Sequence, residues 1–319
     1  MKKSSKIVFM GTPDFGVPSL RMLIEEGYNV AGCITQPDRK SGRGNKLTPP
    51  PAKICAQDHC IPVYQFEKIS SEEGEKFLSE LKPDLLITAA FGHILSENIL
   101  SIPKFGCINV HASLLPKYRG SAPIQWAIIN GEVKTGITTM YTVKALDAGD
   151  ILEQDIVPIT PEMTGGELYN ELSILGAKTL KRTLKKLEDG TLKRMPQDPA
   201  EASYFPMFTK DFWEIDFNKS CRDIINFIRA ANPMPGAYVL YNGERIKVYK
   251  ASIFPLDSSA QPGEVIVADD KNGLLVAASD GVLSLDVIKR SGSKQMNAKD
   301  SLRGRKIEPG YIFIKDNLI

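Results

Sequence analysis

Histidine occurs three times in this 319-residue chain and tryptophan twice. The five cysteines (Cys33, Cys55, Cys60, Cys107 and Cys221) are odd in number, and no two have C-x-x-C spacing. That argues against a disulfide framework and against a zinc site, and it reads as reduced thiols in a cytoplasmic protein. No apolar run approaches the roughly 18 residues of a membrane span. The opening MKKSSKIVFMG is basic, but its apolar stretch stops at Gly11, too soon for a signal peptide. Charge of one sign is also missing. Lys and Arg number 40 against 38 Asp and Glu, a net of +2, which excludes a wholesale basic polyelectrolyte but leaves room for a local basic patch. Repeats and low-complexity tracts are absent.

The composition that remains, 42% hydrophobic and 24% charged, is that of a globular protein, and the length suggests about two domains. Residues 6–10 (KIVFM) read as a buried strand ending at Gly11. Val17, Leu20, Leu23 and Ile24 form a helical stripe ended by Gly27, and residues 29–35 form the next strand. A strand–helix–strand unit predicts a right-handed crossover and a parallel sheet. The alternation continues with helices at 51–59, 72–81 and 123–130, and strands at 84–90, 108–110, 135–143 and 151–157. This is the pattern of a doubly wound, Rossmann-like α/β domain. Residues 165–187 form the clearest helix, with Thr164 and Glu167 as a capping box. Pro196, Pro199 and Pro206 then interrupt all periodicity, which places a linker at 191–209 between domains at 1–190 and 210–319. After a helix at 220–231 come five short strand-like runs, punctuated by Asn242-Gly243, Asn272-Gly273 and Asp280-Gly281. They suggest a small β-barrel, for which an OB-like barrel is one option.

Chemistry concentrates in two segments. In Cys107-Ile-Asn-Val-His111, period-two alternation puts Asn109 and His111 on one face, at the C-terminal end of a strand where open α/β sheets bind ligands. An amide and an imidazole there can both donate to an oxygen that becomes negative in acyl transfer. In Leu146-Asp-Ala-Gly-Asp150, Asp147 is a candidate partner for that imidazole. Taken singly, each segment is more often a satisfied polar pair or a turn.

Together and in this order, Asn109, His111 and Asp147, with Ser113-Leu114-Leu115-Pro116, resemble the folate-dependent formyltransferases. Nearly the whole chain takes part. Phe9–Gly16, the loop Gln36–Leu47 and Ile228–Gly236 resemble the members that act on methionyl-tRNA. Ala112 stands where Gly is frequent in the family, a mild departure. The resemblance implies 10-formyltetrahydrofolate as formyl donor, the α-amine of initiator methionyl-tRNA as acceptor, and no metal. It places the folate pterin against Phe91, Gly92, Ile94 and Leu95, next to Ser113–Pro116. Asn109 and His111 would then donate to the formyl oxygen, while Asp147 orients and charges His111. His59 and His93 are left as bystanders.

Two basic clusters fit a bound nucleic acid. From Gln36 to Lys53, the basic residues Arg39, Lys40, Arg43, Lys46 and Lys53 face one acid, Asp38, in a loop with Gly42 and Gly44. Residues 287–306 hold Lys289, Arg290, Lys294, Lys299, Arg303, Arg305 and Lys306 against Asp300. Either cluster could also be ordinary charged surface. A monomer outside the membrane is the expected state. The nearest rival keeps the chemistry but uses an amino-sugar nucleotide as acceptor. A nicotinamide dehydrogenase is disfavoured, because Gly11-Thr-Pro-Asp-Phe-Gly16 is not G-x-G-x-x-G and Thr35-Gln36 replace the ribose-binding acid. A non-catalytic RNA-binding protein would not need the three site residues.

Overall fold

The structure, a computed structural model, describes residues 1–41 and 44–315. The chain packs as two units. The first takes in Met1–Pro123, Lys134–Pro158 and Tyr169–Pro206, and the second takes in Ile124–Val133, Ile159–Leu168 and the chain from Met207 on.

In chain order the elements begin β1 (Ile7–Gly11), α1 (Val17–Glu25), β2 (Val30–Thr35), β3 (Arg39–Ser41), β4 (Lys46–Thr48), α2 (Pro51–Asp58) and β5 (Val63–Gln65). They continue with α3 (Glu72–Leu81), β6 (Leu85–Ala89), α4 (Glu97–Ser101), β7 (Cys107–His111), β8 (Arg119–Gly120), α5 (Pro123–Ile129), β9 (Lys134–Tyr141), β10 (Ile151–Pro158), α6 (Gly165–Asp189) and β11 (Tyr204–Phe205).

Seven strands of the first unit form one sheet in the order β10-β9-β7-β6-β1-β2-β5. The five from β7 to β5 pair in parallel, and β9 and β10 add to the β7 edge antiparallel. Every residue of β1 and β6 is buried, as a strand covered on both faces requires. Between β1 and β6 the chain reverses its direction of travel across the sheet, so Gly11, Ala89 and His111 end neighbouring strands at a topological switch point. Local signals explain the helices. Ser71 caps α3 by accepting from the Gly74 N–H at 3.3 Å, and Glu72, Glu73 and Glu75 complement the dipole of its first turn. The Thr164–Glu167 box is formed reciprocally, at 2.8 and 3.3 Å.

The second unit holds α7 (Cys221–Ala230), β12 (Ala237–Tyr241), β13 (Glu244–Phe254), β14 (Val265–Asp269), β15 (Gly273–Ala278), β16 (Gly281–Lys289), β17 (Met296–Asn297) and α8 (Ala298–Gly304). Its strands form an antiparallel sheet in the order β12-β13-β16-β15-β14, with β17 on β16. Asn242 and Gly243 both have positive φ (50° and 77°), the conformation a two-residue hairpin needs. Trp126 of α5 packs on Phe208 and Phe212, which also touch Trp213 and Phe227, and this aromatic cluster is why 124–133 count with the second unit.

Candidate active site

Asn109 and His111 reach the sheet edge because β7 alternates as the sequence predicts. Ile108 is fully buried on one face and Cys107 on the other joins the main core cluster. The Cys107 thiol is pushed up to about 11 by burial, outweighing the nearby Thr142 and Thr88 hydroxyls, so it is no nucleophile. Asn109 pairs in register with Thr88 of β6, and the Thr88 hydroxyl donates to Asn109 Oδ1 at 2.9 Å. That bond fixes the amide orientation. Among the described residues no acceptor takes the Asn109 NH2, so its two donors are left for a ligand.

His111 is 7% exposed. Its Nε2 lies 2.9 Å from the Tyr118 carbonyl, which can only accept, so Nε2 carries a proton. Nδ1 faces Asp147 Oδ2 at 3.8 Å. This is close enough for an ion pair and too long for a hydrogen bond. The ring therefore offers Nδ1, not Nε2, to the site, which limits direct donation to a formyl oxygen to that one nitrogen.

Asp147 stands on a loop rather than an element and adopts φ 48°, the left-handed conformation Asp tolerates better than most residues. Its Oδ2 accepts the Gly120 N–H at 2.8 Å. Gln197 donates to the carbonyls of Asp147 and Gly149 at 2.8 and 2.7 Å. Gln197 Oε1 in turn accepts from Nε and Nη2 of Arg119 at 3.0 and 2.7 Å. The segment 191–206, read from its prolines as part of a linker, thus supplies a side chain that touches the site. It also pairs β11 with β8, and Ser203 accepts the Tyr118 N–H. Nothing local in the sequence marks Gln197, Arg119 or Thr88. Their partners lie 50, 78 and 21 residues away.

Of the residues assigned to folate, Phe91 and Leu95 face the core cluster, at 4% and 5% exposure, and do not line an open wall. Ile94 is 79% exposed and Gly92 has φ 78°. What the segment does present is main chain. Among the described residues the N–H groups of Gly92 to Leu95 find no acceptor, while the Phe91 carbonyl takes Thr12 and Gln36. Beside Phe91, His93 keeps a buried Nδ1 with no partner among the described residues, and burial lowers its pKa. Ser113 is buried and donates to the Lys117 carbonyl, while Leu115 N–H donates to Thr138. Leu114 and Pro116 are half-buried beside them.

The basic residues divide. Arg43 lies outside the described residues. Arg39, Lys40 and Lys46 belong to the β3–β4 hairpin, where Arg39 pairs with Glu67 at 2.8 Å on the surface. Lys53, counted with that cluster, is held by Asp38 and Gln65 at 2.8 and 2.9 Å. In the second unit Lys289 is half-buried on β16. Arg303 is exposed and pairs with Asp270 and Asp300. Arg290, at 5% exposure, is bound to Glu244 and to the Arg305 carbonyl, so it serves the sheet and not a ligand surface. Among the described residues no group of three His, Cys, Asp or Glu could hold a metal, and no helix is long and apolar enough to cross a membrane.

Comparison with known proteins supplies the context. Residues 5–184 match the Formyl transferase family and 207–306 match Formyl transferase, C-terminal domain. The methionyl-tRNA formyltransferase of Ruminiclostridium cellulolyticum is 50% identical over 307 residues, covering 96% of this chain and 98% of that one. The sugar 3N-formyl transferase WlaRD shares the fold at TM-score 0.63 and 21% identity, over 92% of this chain and 100% of that one. HypX from Aquifex aeolicus in complex with tetrahydrofolic acid does so at TM-score 0.62 and 16% identity, over 94% of this chain and 47% of that one. With both of its domains matched, the chain belongs to the formyl transferase family.

Proposed function

We propose that this protein transfers the formyl group of 10-formyltetrahydrofolate to the α-amine of methionyl-tRNA, making the N-formylmethionyl-tRNA used to initiate translation. The observation that carries the reading is likeness to methionyl-tRNA formyltransferases from end to end, the C-terminal domain included. The main-chain donors of Gly92–Leu95 and the Asn109 NH2, which meet no acceptor among the described residues, fit a ligand with a pterin edge and a formyl oxygen.

The folate supplies an electrophilic formyl carbon. The amine must be neutral to attack, and the transfer forms an amine–carbon bond, breaks the bond to N10, and moves one proton from the amine to N10. Asn109 donates to the formyl oxygen as negative charge develops there. His111 donates through Nε2 to the Tyr118 carbonyl, which leaves Nδ1 turned toward Asp147 and the site. Asp147 orients that nitrogen and accepts from the amine, directly or through water. No residue becomes acylated. Holding two substrates together contributes part of the rate by itself. Arg39, Lys40, Lys46 and Arg303 are assigned to the tRNA backbone. The working unit is a cytoplasmic monomer, since one chain carries the whole constellation.

The test is transfer of labelled formyl to charged initiator tRNA, with an amino-sugar nucleotide as competing acceptor. Transfer to tRNA supports the reading. Transfer to the sugar alone would keep the chemistry and overturn the acceptor. Light scattering at the mass of one chain supports the monomer, and a stable larger species removes it.

A further inference from the structure

Asp147 does not hold its own position. It has no strand or helix under it, its φ is 48°, and at Gly149, two positions on, a Cβ would collide with the Tyr141 carbonyl. Two groups from distant parts of the first unit fix it. The Gly120 N–H holds the carboxylate, and the Gln197 amide holds the main chain on both sides of Ala148, with both its N–H donors used. Gln197 is fixed at its other end by a buried arginine. Arg119 is 4% exposed; its Nε and Nη2 both donate to Gln197 Oε1, and its Nη1 donates to the Tyr204 hydroxyl at 2.6 Å. Arg119 and Gly120 are adjacent on β8, so a single short strand carries both grips on the loop.

Burying a guanidinium is costly unless its donors are met. Two of the Arg119 donors go to one neutral amide, which fixes that amide's direction. With Oε1 turned to Arg119, the NH2 can point only to the Asp147 loop. Because an amide has one acceptor end and one donor end, a carboxylate or a thioether of the same length cannot do this.

We propose that Gln197 is a positioning residue for the formyl transfer: oriented by Arg119, it sets the distance and direction of the Asp147 carboxylate relative to His111. The proposal rests on the transfer reaction read above.

The experiment compares wild type, Gln197→Met, Asp147→Asn and the double variant. Gln197→Met keeps the volume and loses both donors. It also removes the acceptor of two buried Arg119 donors, so its melting temperature should fall; at a temperature where both proteins are folded, expected are a fall in kcat on the order of 10- to 10²-fold and KM for folate and for tRNA within twofold. In the Asp147→Asn background the same substitution should change kcat less than twofold, because its effect runs through the carboxylate. Equal losses in both backgrounds, or a rise in KM with kcat intact, would overturn the proposal. Gln197→Glu keeps the bond to Arg119 and turns an acceptor toward two carbonyls, so it should lose as much as Gln197→Met; wild-type kcat in that variant also overturns it. A readout that needs no turnover separates this from failure of the function itself. Hydrogen exchange at the Gly120 amide, which donates to Asp147, should quicken about tenfold or more in Gln197→Met. Unchanged exchange refutes the clamp. An inactive wild-type enzyme whose Gly120 amide still responds leaves the clamp standing and removes the acyl-transfer reading.

Discussion

At the scale of single residues, the site works through which atom of each side chain is already used. Asn109 looks like an arbitrary polar residue until Thr88 takes its carbonyl oxygen and leaves two N–H donors facing out. Asn109→Ala should lower kcat by on the order of 10² to 10³ with little change in KM, the loss expected for one oxyanion donor. Steady-state kinetics check it, and a KM effect alone would make Asn109 a binding group. The five cysteines divide in the same way. Cys33, Cys55, Cys107 and Cys221 are buried, and burial pushes the Cys33 thiol to about 12 and that of Cys221 to about 11. Cys60 alone is exposed. A thiol reagent on the native protein should therefore label one cysteine rapidly, and Cys60→Ser should remove that phase. A surviving rapid phase would mean that a buried thiol opens readily.

At the scale of elements, short segments carry more than their length suggests. The loop Leu146–Asp150 must pass so close to β9 that a Cβ on Gly149 would lie 1.7 Å from the Tyr141 carbonyl. Backbone, not a flexible side chain, is the obstacle, so the loop itself must move. Gly149→Ala should lower kcat by about 10²-fold, the cost of roughly an ångström of misplacement, and destabilise by about 1–3 kcal/mol through overpacking. Kinetics and denaturant melts read the two effects separately. Wild-type kcat in a stable variant would show that the loop tolerates displacement. The β3–β4 pairing gives the basic segment regular structure on its described residues, where the sequence reads as a loop.

At the scale of the whole molecule, a few ion pairs join distant stretches of chain, and their effect depends on pH. Glu153 on β10 is pushed up by burial, but hydrogen bonds and charge from Lys186 and Arg182 of α6 outweigh that and hold its carboxyl below the ordinary value. Glu244 behaves alike. Burial raises it, and Arg290, Ser291 and Arg305 more than compensate. Carboxylates whose folded pKa is depressed contribute stability above their unfolded value, about 4.3 for Glu, and lose it as pH falls through the folded value. Glu153→Gln should accordingly destabilise at pH 7 and much less at pH 3. Denaturant melts at the two pH values measure this, and an equal effect at both would mean that the charge contributes nothing.

Periodicity and turn chemistry alone determined much of this protein. The run KIVFM, the alternation in Cys107–His111, the Thr164–Glu167 box and the Asn242-Gly243 hairpin are local, because apolar spacing and backbone sterics act over a few residues. They were enough to give the doubly wound sheet, the antiparallel C-terminal strands and, through the resemblance, the three residues assigned to the chemistry. Tertiary structure alone decided which atoms those residues present. It sent the donor edge of Asn109 outward, turned Nδ1 of His111 toward Asp147, buried Arg290 against Glu244 and brought Gln197 into the site. Each outcome depends on hydrogen bonds between residues far apart in the chain. Local pattern cannot encode such pairs, because a buried polar group takes its partner from whatever the packed fold brings within reach.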